Sequence, residues 1–376
     1  MIAELFKGHD LSTNRDHIAE DLHFVRPAFD RCSTRAGRLK SDEEDGVFGI
    51  RQAQRQVMQN PAACRHTARR NNDRWVVHLV DFLGLLGCRR EYESGPLQGR
   101  AMSQLPYYLD GARWGYRLGN QELVDGMYRD GFFCPLAKMV MGETAEVLGE
   151  QYKITRDEQD QFALTSQQRA ASAVAAGRFD AEIVPVTIES KKGSQVFSKD
   201  EHLFPDANLE KLAKLAPVFS KTGTITAGNS SGITDGAAAM VLAGEAFVKK
   251  NSLKPMARVL AVTSAGVDPR IMGIGPVPAM QKMEARFGLK LSDFDLVEVN
   301  EAFAAQVLAC DRELHFDHAK LNVNGGAIAI GHPIGCTGTR ITVTLLHEML
   351  KRKSKRGVAT LCVSGGMGMA LAIETQ

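Results

Sequence analysis

The chain lacks most of the features that would assign it a class at sight. No apolar run approaches the roughly 18 residues of a membrane-crossing helix, so no membrane partner is expected. The stretch from Met1 to Asp10 carries Lys7 but no apolar core, and no secretory signal is expected there. The 46 basic side chains are nearly balanced by 44 acidic ones, a net charge of +2. That balance gives no electrostatic reason to expect nucleic acid as a partner. Seven scattered cysteines, an odd number, do not make a disulfide framework. Neither a Cys-x-x-Cys nor a His-x-x-x-His pair occurs, so no metal site is expected. A reducing cytoplasm is the expected location.

What remains is ordinary soluble-protein composition, 44% hydrophobic and 24% charged over 376 residues, enough for two or three domains. The first hundred residues stand apart. They hold 14 Arg and 2 Lys, whereas residues 101–376 hold 13 Arg and 17 Lys. The segment from Cys64 to Trp75 follows neither a helical nor a strand period and reads as a solvated basic face.

Beyond residue 101 the local signals agree with one another. Thr155-x-x-Glu158 is a capping box opening a helix with Ala163, Ala170 and Val174 on one face, ended by Gly177. Glu182 to Ile188 reads as a strand, and Lys191 to Pro217 as a loop with one short helix. The small apolar run Ala237 to Ala243 suits a helix packed closely on a sheet. The last third alternates: strand Asp295–Asn300, helix Glu301–Leu314, helix Thr339–Arg352, then strands Val358–Val363 and Met367–Ile373. Such alternation predicts an α/β domain with its active groups at strand ends.

Three residues fall at expected strand-to-loop junctions: Asn300, His332 and Cys362. His332 lies in Asn324 to Gly338, a glycine-rich stretch between an apolar, strand-like segment and a helix. An imidazole titrates near neutrality, which suits acid/base work; His332 could be a structural histidine, but Pro333 and the flanking glycines favour a rigid functional loop. Cys362 ends a strand and is followed by Ser364-Gly365-Gly366-Met367-Gly368, which leaves room for a substrate at the sulfur. It could equally be a small buried hydrophobe. Asn300 could cap a helix, or hold a hydrogen bond at an oxyanion. Neither a phosphate loop nor a dinucleotide fingerprint is completed.

Taken together, several motifs resemble the thiolases, the acyl-CoA C-acyltransferases. They are Gly111-Ala112-Arg113-Trp114-Gly115, Met141 to Glu146, Thr226 to Gly232, Asn300-Glu301-Ala302-Phe303, Gly331-His332-Pro333 and Cys362 with Gly365 to Gly368. The likeness runs from about Met102 to Gln376. It implies an α/β fold of layered αβαβα type, two similar halves with an inserted loop domain. Residues 1–102 with 233–252 would form the first half, 103–232 a loop domain covering coenzyme A, and 253–376 the second half. The resemblance also implies roles. Asn300 is similar to the asparagine that holds an oxyanion-hole water, His332 to the histidine that activates the nucleophile, and Cys362 to the cysteine that moves the α-proton. Ser231, Ala227, Phe219, Met141 and Phe303 match positions along the pantetheine arm. Coenzyme A thioesters are the implied substrates, with no covalent cofactor and no metal, and the protein is expected to form a homodimer or homotetramer.

One motif is missing. The family nucleophile sits in Cys-small-Ser-Gly, upstream of a segment that survives here as Arg100-Ala101-Met102-Ser103. Counting back by the family's spacing lands near Asn71 to Arg74, where there is no cysteine. Cys64 and Cys88 lie to either side, without the small-residue turn of the motif. The arginine-rich composition and loss of periodicity are those expected if part of residues 1–100 is translated in a shifted frame. The alternative to an active acyltransferase is therefore an inactive coenzyme A-binding homologue or subunit.

Overall fold

The structure is a computed structural model that describes residues 97–376 other than Ala101 and Lys192, with residues 97–100 described by backbone pairing alone. The unusual basic segment, Cys64 and Cys88 lie outside the described residues.

Five short strands come first: β1 (Leu97–Arg100), β2 (Tyr107–Tyr108), β3 (Val124–Asp125), β4 (Phe133–Cys134) and β5 (Met139–Val140). Helices α1 (Met141–Gln151) and α2 (Arg156–Ala175) follow. Thr155 and Glu158 form the expected reciprocal cap on α2, the Thr155 N–H donating to Glu158 at 2.8 Å and its hydroxyl accepting from the Glu158 N–H at 3.2 Å. The far end closes with Arg178 N–H to the Ala173 carbonyl at 2.9 Å and Gly177 N–H to that of Val174 at 3.1 Å, the Schellman pattern. Ala163 and Ala170 are buried as expected, but Val174 is exposed. In the last turn Ala173 takes the inward position in its place.

The hairpin β6 (Val186–Ser190) and β7 (Gly193–Phe197) comes next, then α3 (Leu209–Ala213). The expected strand thus starts four residues later than Glu182, and the expected loop contains its partner strand. Both strands are exposed on both faces; Val186 and Ile188 alternate with polar residues in β6, whereas Gly193–Phe197 carries no such alternation.

The expected helix at Ala237–Ala243 is absent. Gly236–Ala239 is instead strand β8, antiparallel to β1, and only Glu245–Lys250 is helical (α4). Its alternating exposure is the period of a strand.

The rest of the chain builds a three-layer unit. Strand β9 (Ala257–Gly266), helix α5 (Pro276–Phe287), strand β10 (Leu296–Val299), helix α6 (Ala304–Leu314), the short α7 (Ala327–Ile330), helix α8 (Thr337–Arg352) and strands β11 (Arg356–Val363) and β12 (Met367–Thr375) follow in order. The sheet order is β10-β11-β12-β9, with β10 and β11 parallel and the other two pairings antiparallel. Alternate residues feed opposite layers. Val297, Val299, Val358, Ala370 and Ala372 pack with Val277 and Met280 of α5 and Val307 of α6. Leu296, Ala359, Leu361, Met369 and Leu371 pack with Ile341, Leu345 and Met349 of α8. Because β10 and β11 are parallel, their C-terminal ends lie together, which brings the residues after β10 beside the end of β11.

Candidate active site

Asn300 follows β10 directly, and its N–H donates to the Thr360 carbonyl of β11 at 2.9 Å. It is buried and does not cap α6; that place is taken by Phe303, and the helix begins at Ala304. With its backbone N–H held by the sheet, Asn300 is set apart from the helix end.

The segment before His332 is not a strand, as the sequence suggested, but the single helical turn α7. Gly326 precedes it, and its ideal Cβ would lie 2.3 Å from the Glu301 carboxyl carbon. That close approach turns the chain off the sheet and into a turn. Gly331 then adopts φ +95, with Thr234 packed 2.4 Å from where a Cβ would stand, so only glycine fits. The His332 N–H donates to the Gly232 carbonyl at 3.0 Å.

The ring of His332 has a partner on each side. Nε2 lies 3.3 Å from Asn300 Nδ2, and Nδ1 lies 2.6 Å from the Thr337 hydroxyl. Burial, with the Arg340 charge adding to it, lowers the imidazole to about 4. It is therefore neutral at pH 7 in the resting site. The Asn300 Oδ1 is buried with no partner among the described residues.

Cys362 is the penultimate residue of β11 and belongs to an apolar cluster with Met141, Phe303, Cys134, Ala302 and Met272, against which Phe219 packs. Burial pushes its thiol up to about 12. Beyond it Gly366 has φ +87, and a Cβ there would meet the Val267 carbonyl at 2.3 Å. The rings of Phe219 and Phe303 meet edge to face at 6.0 Å between centroids. Ser231 is tied to this wall through its N–H, which donates to the Ala302 carbonyl at 3.1 Å. Ala227 sits exposed in the turn from Thr226 to Asn229.

The candidate set thus divides in two. Asn300 and His332 touch directly, whereas Cys362, Met141, Phe219 and Phe303 share one apolar wall. Two functional neighbours were missed in the sequence. Thr337 holds the far side of the His332 ring. Glu301 is buried and accepts from the Ser166 hydroxyl at 2.7 Å, Asn322 Nδ2 at 2.8 Å and the Ile328 N–H at 3.2 Å. A carboxyl residue between the mostly apolar strand Leu296–Val299 and the apolar Ala302-Phe303 was the available signal for Glu301. For Thr337 it was a hydroxyl one helical turn past Pro333.

Residues 99–246 match the sequence model described as "Thiolase, N-terminal domain", and residues 253–375 match "Thiolase, C-terminal domain". The chain belongs to the thiolase family. It is 53% identical over 276 residues to the acetyl-CoA acetyltransferase of Escherichia coli (strain K12), covering 73% of this chain and 70% of that one. It is 44% identical over 330 residues to the acetyl-CoA acetyltransferase of Paracoccus denitrificans, covering 84% of each. The second share exceeds what residues 97–376 can supply, so this likeness reaches into the first hundred residues, earlier than the start expected near Met102. Among solved structures, the acetyl-CoA acetyltransferase of Bacillus anthracis superposes with a TM-score of 0.72 at 50% identity, over 74% of this chain and 70% of that one. Human mitochondrial 3-ketoacyl-CoA thiolase in complex with CoA superposes with a TM-score of 0.71 at 47% identity, over 74% and 70% of the two chains. The fold is the α/β thiolase fold, and the thiolase family is one of acyltransferase enzymes. Among the described residues no helix is long and apolar enough to cross a membrane, and no group of His, Cys, Asp or Glu could hold a metal.

Proposed function

We propose that this chain carries out thiolase acyl transfer on coenzyme A thioesters, either joining two acetyl-CoA molecules or cleaving a 3-ketoacyl-CoA with free coenzyme A. The observation that carries the reading is the direct contact of Asn300 with His332 at 3.3 Å, on the sheet end that also bears Cys362. Phe219, Met141, Phe303, Ser231 and Ala227 are the residues assigned to the pantetheine arm. An edge-to-face aromatic pair beside a buried methionine gives an apolar wall for the methylene groups of that arm.

The chemistry follows from the proton states. A cysteine thiolate attacks the thioester carbonyl, the carbon–sulfur bond to coenzyme A breaks, and the released thiolate takes the proton of Cys362, which is left as the thiolate base for the next step. His332, neutral in the resting site, is able to accept the attacking thiol's proton. In condensation Cys362 removes the α-proton of a second acetyl thioester, and the enolate carbon attacks the acyl-enzyme carbonyl. His332 and a water held at Asn300 would stabilise the enolate oxygen as charge develops on it. The buried, unpartnered Asn300 Oδ1 is suited to hold such a water.

A second reading has its own support. No cysteine lies at Asn71 to Arg74, where the family spacing puts the nucleophile. A chain without it would bind coenzyme A thioesters and not form the acyl-enzyme. Incubation with acetoacetyl-CoA, followed by intact-mass and peptide mapping, separates the two. An acetyl adduct on Cys64 or Cys88 supports transfer from a displaced nucleophile; a folded, coenzyme A-binding chain without an adduct supports the inactive homologue. We further propose a cytoplasmic homodimer or homotetramer acting in fatty acid metabolism, with light scattering as the test of its assembly.

A further inference from the structure

We propose that Thr337 is a positioning residue that fixes the tautomer of His332. The inference rests on the reading of His332 as the group that handles the proton. Thr337 is the first residue of α8, and its hydroxyl has two neighbours: the Pro333 carbonyl at 3.0 Å and His332 Nδ1 at 2.6 Å. A hydroxyl has one proton to donate. That proton is assigned to the Pro333 carbonyl, which can only accept. A separation of 2.6 Å between two lone pairs is repulsive, so the other contact must carry a proton too, and only Nδ1–H can supply it. His332 is therefore protonated on Nδ1.

The neutral ring then has its lone pair on Nε2, the side facing Asn300. The same arrangement fits the amide orientation there, since Asn300 presents its Nδ2 donor at 3.3 Å. Two contacts on opposite edges of the ring thus give one proton arrangement. The result bears directly on the chemistry. A ring with its lone pair on Nε2 is ready to take a proton on that side, whereas the other tautomer would present an N–H to the thiol. When Nε2 takes the proton, the Thr337 oxygen is still an acceptor for Nδ1–H. On the Nδ1 side no rearrangement accompanies the transfer, and one hydroxyl serves both states.

The geometry that achieves this is local. Pro333 and Thr337 lie one helical turn apart, and the Pro333 carbonyl also accepts from the Cys336 N–H at 2.9 Å. The carbonyl is held by the start of α8, the hydroxyl by the carbonyl, and the ring by the hydroxyl.

The test uses the full chain labelled with 15N in histidine and read by long-range 1H–15N NMR, with His332→Gln identifying the signal. Wild type and Thr337→Ser are expected to show the Nδ1–H tautomer. Thr337→Val, which keeps the shape and removes the acceptor, is expected to shift the tautomer ratio toward Nε2–H by about tenfold, the effect of losing one good hydrogen bond. Thr337→Ala takes its place if the valine variant does not fold by circular dichroism. An Nε2–H ring in the wild type, or a ratio unchanged on removing the hydroxyl, overturns the proposal. Acyl-adduct formation is scored separately. A chain that never acylates yet keeps the Nδ1–H ring counts against the proposed function alone. An acylating chain whose tautomer ignores Thr337 counts against this inference alone.

Discussion

Alkylation of Cys362 gives a quantitative test of how the resting site is poised. Its thiol is pushed from 9.0 up to about 12 by burial. At pH 8 the thiolate fraction is then about one in 10^4, against about one in ten for an ordinary exposed thiol, a deficit of roughly a thousandfold. A more basic thiolate is intrinsically the better nucleophile, and a Brønsted coefficient of about 0.4–0.5 returns a factor of roughly twenty. Iodoacetamide should therefore modify Cys362 about fiftyfold more slowly than a small-molecule thiol at pH 8, before any loss of access. The rate should also rise about tenfold per pH unit through pH 10 without a plateau. Peptide mapping after timed quenching measures both, with circular dichroism checking the fold at each pH and a urea-unfolded sample as the reference. A rate at pH 8 within a factor of five of the free thiol, or a plateau near pH 9, would refute the reasoning. It would mean that the apolar wall of Met141, Phe303 and Cys134 is not closed around the sulfur.

Glu298 should make the protein lose stability as pH rises. Burial outweighs the nearby Arg340 and raises its carboxyl from 4.5 to about 8, so the folded chain holds this proton more tightly than the unfolded one. That contribution is complete below the unfolded value and is lost as pH rises toward 8, at up to about 1.4 kcal/mol per pH unit. Urea midpoints for Glu298→Gln should therefore depend less on pH between 5 and 8, and an unchanged slope counts against the assignment. Leu345→Ala, in the α8 layer and 1% exposed, should cost about 2–5 kcal/mol by urea unfolding, and a loss under 1 kcal/mol would show that the layer collapses around the gap. Gly366→Ala places a Cβ against the Val267 carbonyl at positive φ and should lower Tm by more than the effect of about 1 kcal/mol. An unaltered Tm would contradict that approach.

Most of the second half was legible because its strands and helices have the periods of buried elements. In β12 the residues Met369, Ala370, Leu371 and Ala372 alternate between the two layers, and helix α8 has its apolar stripe in Ile341, Leu345 and Met349. The errors came where burial was weak or the run was short. Among the described residues β6 and β7 are exposed along their whole length, and Gly193–Phe197 carries no apolar alternation. In Ala237–Ala243 the leading alanines suit either state, and pairing of Gly236–Ala239 with β1, not composition, decides for a strand. The turn α7 was read as a strand because four apolar residues cannot distinguish the two periods. At the site, the residue types of Asn300, His332 and Cys362 pointed to chemistry. Thr337 and Glu301 act through their geometry, and geometry between segments far apart in sequence has no local signature.

Glu301 has a consequence for how a thioester could reach the site. One carboxylate fastens three pieces of chain: Ser166 of α2, Asn322, and the start of α7 at Ile328. Ser166 in turn accepts from the Gly326 N–H at 3.0 Å. Lifting α2 away would strip a buried carboxylate of a donor in a dry environment, a cost on the order of several kcal/mol. Helix α2 is thus part of the door frame and not of the door. Any segment that swings aside to admit a substrate must hinge elsewhere, and the rim that stays put includes the turn leading to His332.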